Sequence, residues 1–181
     1  RAESDSKALK RKFSNKEIYI KNLPNNSSYK SLYELTEKIR CEVLGSKMLK
    51  GVSKNLNQNY YQKMNLKRKD QLKSKEDVSV TEAFELYMIK NFLDLDLNSS
   101  SKKILSFWEN DFDNSLHKYI KYLNNNVENQ FNYNSKFSEL FEKMDIFDAQ
   151  NEENDQQNNE NPENEASNDQ QNHSEDEQEK S

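Results

Sequence analysis

The sequence predicts an all-α fold: an irregular helical domain of about four to six helices over residues 1–147, then a disordered acidic tail over residues 148–181. Three observations carry that expectation. Apolar residues recur at spacings of three and four in several separate windows, as one buried helix face requires. No window alternates as a half-buried strand does, and only "EIYIKNL", Glu17 to Leu23, is short enough to read either way. Apolar content is 32% and mean hydropathy −1.24, too low for a core running through all 181 residues, and the deficit is concentrated at one end. From Asp148 onward there is no aromatic and no branched aliphatic residue, with 12 acidic groups against one basic, Lys180. Such a composition cannot offset the entropy of ordering. Residues 1–147 then hold 26 basic and 20 acidic groups, so the mild net charge of −5 joins a basic body to an acidic tail.

Taken in order, the chain has a boundary near Pro24, because the residue before proline is pushed out of the helical region. "NNSS" supplies turn chemistry and a capping hydroxyl. Leu32, Leu35, Ile39 and Val43 then form the stripe of an amphipathic helix from Tyr29 to Val43, and Gly45 is placed to close it as the residue after the C-cap. Val52, Leu56 and Tyr60 mark a second helix from Met48 to about Tyr61, which gives way to a basic loop or frayed helix, "QKMNLKRKDQLKSKED". Val80, Phe84, Tyr87 or Met88, and Phe92 mark the next, capped by a Ser or Thr, with Glu82 and Glu85 near its positive end. Leu105, Trp108, Phe112, Leu116, Tyr119 and Leu123 predict one long helix from Lys102 to about Leu123. "NNNVENQFNYNS" interrupts, and Phe137, Leu140, Phe141 and Met144 mark a short last helix.

The single cysteine, Cys41, excludes an internal disulfide and fits a reducing compartment, so the cytoplasm is expected. No apolar run approaches the roughly 18 residues of a membrane span. The N-terminus lacks the apolar core of a signal peptide. A chain opening on Arg reads as a fragment of a longer frame.

Enzymatic signatures are absent from the sequence. The two glycines, Gly45 and Gly51, enclose no phosphate loop, so no nucleotide cofactor is expected on this chain. His117 and His173 have no Cys or His at ligand spacing, which argues against a metal site. Asp94, Asp96, Asp111 and Asp113 gather at helix ends, where turns and dipoles account for them. The basic stretch lacks interleaved aromatics, which makes nucleic acid an improbable partner. Trp108, Phe107 and Phe112 read as core. Arg40 and Glu42 fall on opposite shoulders of the Leu32–Val43 stripe, either as boundary residues whose heads reach solvent or a neighbouring helix, or as charged contacts to a partner subunit. Gly51 reads as a close approach between helices. The competing class is a stand-alone helical interaction module binding an acidic protein or nucleic acid.

Spaced as E-x-x-R-x-E-x-x-G-x-x-x-x-x-G-V-x-x-N-L, the residues Glu37, Arg40, Glu42, Gly45, Gly51, Val52, Asn55 and Leu56 resemble the N-terminal region of the T subunit of the aerobic cobaltochelatase. "RAESDSKALKRKFSNKEIYIKNLP" is similar to that family's first segment, an Arg, a small residue, an Asp, then Ala-Leu and basic residues before a closing proline. Ser14 and Asn15 stand where the family usually has His-Asp. Family members continue past an acidic linker into a von Willebrand A-type domain with a D-x-S-x-S motif; no such string occurs here, "DNSLH" at Asp113 to His117 being nearest, so no metal-adhesion role passes to these residues. The resemblance implies a cytoplasmic part of an ATP-dependent chelatase that inserts cobalt into a corrin ring precursor during cobalamin synthesis. It implies as partners an AAA+ ATPase subunit and a large corrin-binding subunit, with cobalt and ATP used by the complex and neither bound by this chain. Glu37, Arg40, Glu42, Gly45, Gly51 and Asn55 are its motif and the possible partner contacts.

Overall fold

The computed structural model describes residues 1–67 and 71–147, and among them lie nine α-helices, three short 3-10 turns and no strand. The expected tail lies outside the described residues. Helices α1 (Ala2–Phe13) and α2 (Lys16–Lys21) precede α3 (Lys30–Met48), which packs against α1, α4 (Lys50–Asn65), α5 (Val80–Phe92) and α9 (Gln130–Glu142). Between α5 and α9 run α6 (Ser99–Ser106), α7 (Glu109–Leu116) and α8 (Ile120–Asn125). The all-α class stands, with more and shorter helices than the periodicity suggested.

The ambiguous "EIYIKNL" is helical as α2, because Asn15 caps it by accepting from the amides of Glu17 and Ile18. Before α3 the cap comes from an amide oxygen and not a hydroxyl: Asn26 accepts from Ser28 N in a 3-10 turn. Leu32, Ile39 and Val43 are buried as the stripe requires. Gly45, however, does not end the helix. α3 continues to Met48, and neither glycine has a positive φ.

α5 is buried on nearly every side, through Ala83, Phe84, Leu86, Tyr87, Met88, Ile89 and Phe92. Ser79 is its N-cap residue without a side-chain cap bond, and the helix is held instead by packing. Phe84 meets Phe112 edge-on at 5.2 Å and Phe141 at 5.8 Å, while Tyr87 meets Phe112 at 5.3 Å, so aromatic contacts join α5, α7 and α9. The turn after α5 places Asp94 at φ 53°, a left-handed conformation an Asp tolerates.

The long helix expected from Lys102 to Leu123 is three helices. Trp108 is the break: its Nε1–H donates to Val78 O at 3.1 Å, and seating the indole there pulls its backbone out of helical geometry as the N-cap of α7. The stripe still does its work, with Leu105, Trp108, Phe112, Leu116 and Leu123 all buried. α4 runs to Asn65, beyond Tyr61, because Met64 is buried in the core. Asn129 caps α9 by accepting from Asn132 N, drawing "QFNYNS" into that helix and burying Tyr133 ahead of Phe137, Leu140 and Phe141. His117 and the aspartates stay peripheral, Asp111 pairing with Lys75 at 2.9 Å and Asp113 accepting from the Tyr87 hydroxyl at 2.9 Å.

Gly45 takes the role expected of Gly51, and Gly51 takes neither. A Cβ on Gly45 would meet Leu9 Cδ2 at 2.3 Å, Cδ1 at 2.5 Å and Cγ at 2.9 Å, so α1 crosses α3 here; a Cβ on Gly51 would meet nothing within 4 Å. Opposite signs follow in a urea titration. Gly45→Ala destabilises by a net of about 1–2 kcal/mol, since overpacking at Leu9 exceeds the helix-propensity gain. Gly51→Ala stabilises by about 0.5–1 kcal/mol, having only that gain.

Candidate functional site

The motif residues assemble around the first helix. Arg40 sits on the inner face of α3, 1% exposed, not on a solvated shoulder. Such a cation stays buried only if every donor is used. Its Nε and Nη2 donate to both oxygens of Glu37 at 2.9 Å, one turn earlier on α3 and itself fully buried. Nη1 donates to Val127 O at 2.9 Å and Nη2 to Phe13 O at 2.6 Å. Phe13 closes α1, whose last carbonyls lack helical partners, and Val127 lies in the turn before α9. One guanidinium thus ties three parts of the chain. Burial opposes its charge, but the hydrogen bonds and charge of Glu37 hold the Arg40 pKa above its ordinary value.

Glu42, also 1% exposed, faces the other side of α3. It accepts from Ser6 Oγ of α1 at 2.6 Å and from Tyr60 OH of α4 at 2.6 Å. Asn55 of α4 donates to Asp5 of α1 at 3.0 Å. Leu9, Cys41 and Leu56 form a small apolar cluster beneath these contacts, edged by Ala2, Phe13 and Val52. Five motif residues therefore serve one end: Glu37 and Arg40 fix the C-terminus of α1, Gly45 admits its Leu9, and Glu42 and Asn55 bind Ser6 and Asp5. Of the two ends expected for the heads of Arg40 and Glu42 as shoulder residues, solvent and a neighbouring helix, both take the second, because α1 covers the face they occupy.

Gly51 is the exception, exposed and touching nothing. The residues missed in the sequence are those of α1 itself. Ala2, Ser6, Leu9 and Phe13 recur at spacings of four, three and four, a stripe weakened by its small and polar members.

Reactive groups near the motif are held inert. Burial, then the Glu37 charge, pushes the Cys41 thiol up to about 12, leaving it protonated at neutral pH. Burial and Glu42 push the Tyr60 phenol far above its ordinary 10.0. No group of three or more His, Cys, Asp or Glu suited to a metal ion occurs among the described residues, and no described helix is long and apolar enough to cross a membrane.

A cleft of about 600 Å³ opens between α1, α3 and α4, with Leu35, Leu56 and Tyr60 among its walls and Glu42 at its lining. Two of its lysines have carboxylate partners. Lys10 pairs with Glu34 at 3.3 Å and Lys38 with Glu85 at 2.8 Å. Burial disfavours both charges of the second pair, yet each holds the other ionised, Lys38 above and Glu85 below its ordinary value.

These features define a helical domain whose charged motif is turned inward to fix its own first helix. The chain belongs to the cobalamin biosynthesis protein CobT family, whose model matches residues 1–181, and with that membership comes a role in cobalamin biosynthesis as part of a cobalt chelatase. No curated protein and no solved structure matches the chain.

The network sets two measurable outcomes. Arg40→Ala, which strands the Glu37 carboxylate, lowers unfolding free energy by about 3–5 kcal/mol, whereas Tyr60→Phe, which deprives Glu42 of one donor, costs about 1–3 kcal/mol. Folded Tyr60 keeps its proton where the unfolded chain loses it, so its contribution is complete below pH 10.0 and erodes as pH rises above that value. Thermal melts should show this decline above pH 10.0, shallower in Tyr60→Phe.

Proposed function

We propose that residues 1–147 act as a non-catalytic assembly module of the T subunit of a cytoplasmic cobaltochelatase. The chain binds an AAA+ ATPase subunit, and the complex uses ATP to insert cobalt into a corrin ring precursor held by a separate large subunit. One observation carries this reading: all of the family motif but Gly51 serves the docking of α1 onto α3 and α4, where its carboxylates and guanidinium are buried against the chain's own groups beside the buried Cys41 thiol. Groups so enclosed shape a rigid surface and do not reach a substrate. The inert Cys41 supports the same conclusion, because a thiol held protonated is neither a nucleophile nor a good ligand.

Co-purification with the ATPase subunit in the presence of ATP tests the reading. The whole chain should co-elute with it, and Cys41→Ala should leave cobalt insertion by the reconstituted complex unchanged. Leu9→Asp, which forces a charge into the α1 seat, should abolish co-elution together with the cooperative melt. A chain that never co-elutes with a chelatase subunit, or a complex inactivated by Cys41→Ala with its melting intact, would overturn the proposal.

A further inference from the structure

The corner between α3 and α4 has features that the internal architecture does not use. Met48 and Leu49, at the end of α3, are 54% and 53% exposed. Beside them lies a groove of about 310 Å³ lined by Phe13, Leu44, Lys47, Met48 and Glu128. Gly51 follows within the first turn of α4, in open space. A glycine inside a helix costs about 1 kcal/mol against alanine, and here no contact within the chain accounts for it.

Charge at the corner is one-sided. Lys47, Lys50 and Lys54 are exposed, and none has a carboxylate within 4.0 Å among the described residues. Lys12 adds a fourth cation, its ammonium 5.5 Å from the Phe13 ring that lines the groove. Glu128 is the one acid lining it. Lys10, Lys38, Lys67, Lys75, Lys90, Lys136 and Lys143 hold ion pairs, whereas other exposed lysines such as Lys7 and Lys121 hold none among the described residues. What marks the corner is that its three unpaired lysines stand beside exposed Met48 and Leu49 and the groove.

We propose that this corner is a docking surface for an acidic amphipathic segment of a partner protein within the chelatase, an inference that rests on the assembly reading above. The segment sets an apolar side chain into the Phe13–Leu44–Met48 groove and packs against Leu49. Its carboxylates meet Lys47, Lys50 and Lys54, and its backbone approaches α4 at Gly51, where no Cβ stands in the way. Apolar anchors with a cationic rim fit a polypeptide better than a nucleic acid, which would call for aromatic platforms along a basic track.

Binding of the whole chain to the ATPase subunit, measured by surface immobilisation at two salt concentrations alongside thermal melts, tests the corner. Met48→Glu with Leu49→Glu, and separately Lys47→Glu with Lys50→Glu, should each weaken binding by about tenfold or more with melting temperature unchanged, as expected for exposed anchors at an interface centre. Added salt should weaken the wild-type chain more than the lysine variant. Gly51→Ala should raise the melting temperature yet weaken binding, a split that a purely structural glycine would not give. Wild-type affinity in all three variants would overturn the corner while leaving the assembly reading intact. A wild-type chain that binds no ATPase subunit would remove both. Binding of a short single-stranded oligonucleotide that the same substitutions abolish would overturn the acidic-peptide assignment.

Discussion

A guanidinium withdrawn from water needs acceptors inside the protein, and Arg40 finds them by drawing together residues far apart in the chain. Its fork on Glu37 neutralises the charge within α3. Two further donors find the backbone carbonyls Phe13 O and Val127 O. One side chain therefore ties both the end of α1 and the turn into α9. Removing its charge would not merely lose an ion pair. It would leave Glu37 buried and alone, and two carbonyls without donors.

The seat of α1 shows how a weakly helical segment becomes fixed. Twelve residues are near the lower limit for an isolated helix in water. Here Leu9 enters the gap left by Gly45, Ser6 and Asp5 bind Glu42 and Asn55, and Phe13 O receives Arg40. The two segments that carry the resemblance to the chelatase T subunit, the N-terminal stretch and the Glu37–Leu56 motif, are thus two halves of one contact. The spacing fits helix geometry: residues 37 and 40, one turn apart, reach the end of α1 at Phe13, while residues 42 and 45, also about a turn apart, meet Ser6 and Leu9 of the same helix.

Surface charge divides in a way that the net value hides. Along the cleft and around α5, α7 and α9, lysines pair with carboxylates of the same chain. Such exposed pairs add little stability. The α3–α4 corner sets unpaired lysines beside exposed Met48 and Leu49. In a family whose role lies within a chelatase complex, that contrast separates the part of the motif that folds the domain from the part that faces outward.

What the sequence by itself determined is the helical class, the stripes of α3, α5 and α9, and the membership signalled by the spacing from Glu37 to Leu56, because periodicity is a property of a helix's own residues. Tertiary structure decided where helices break and what the polar residues do. Leu105 to Leu123 keep one apolar register, yet the indole of Trp108 reaching Val78 O splits the helix, a contact thirty residues away that no local pattern encodes. Gly45 looked like a stop and is a crossing, since nothing near it in sequence announces Leu9 above it. Arg40 and Glu42 lie beside an apolar stripe on the helical wheel, and their burial depended on α1, whose stripe through Ala2, Ser6, Leu9 and Phe13 is too polar to be read alone. Burial belongs to pairs of surfaces, and only the folded chain supplies the second one.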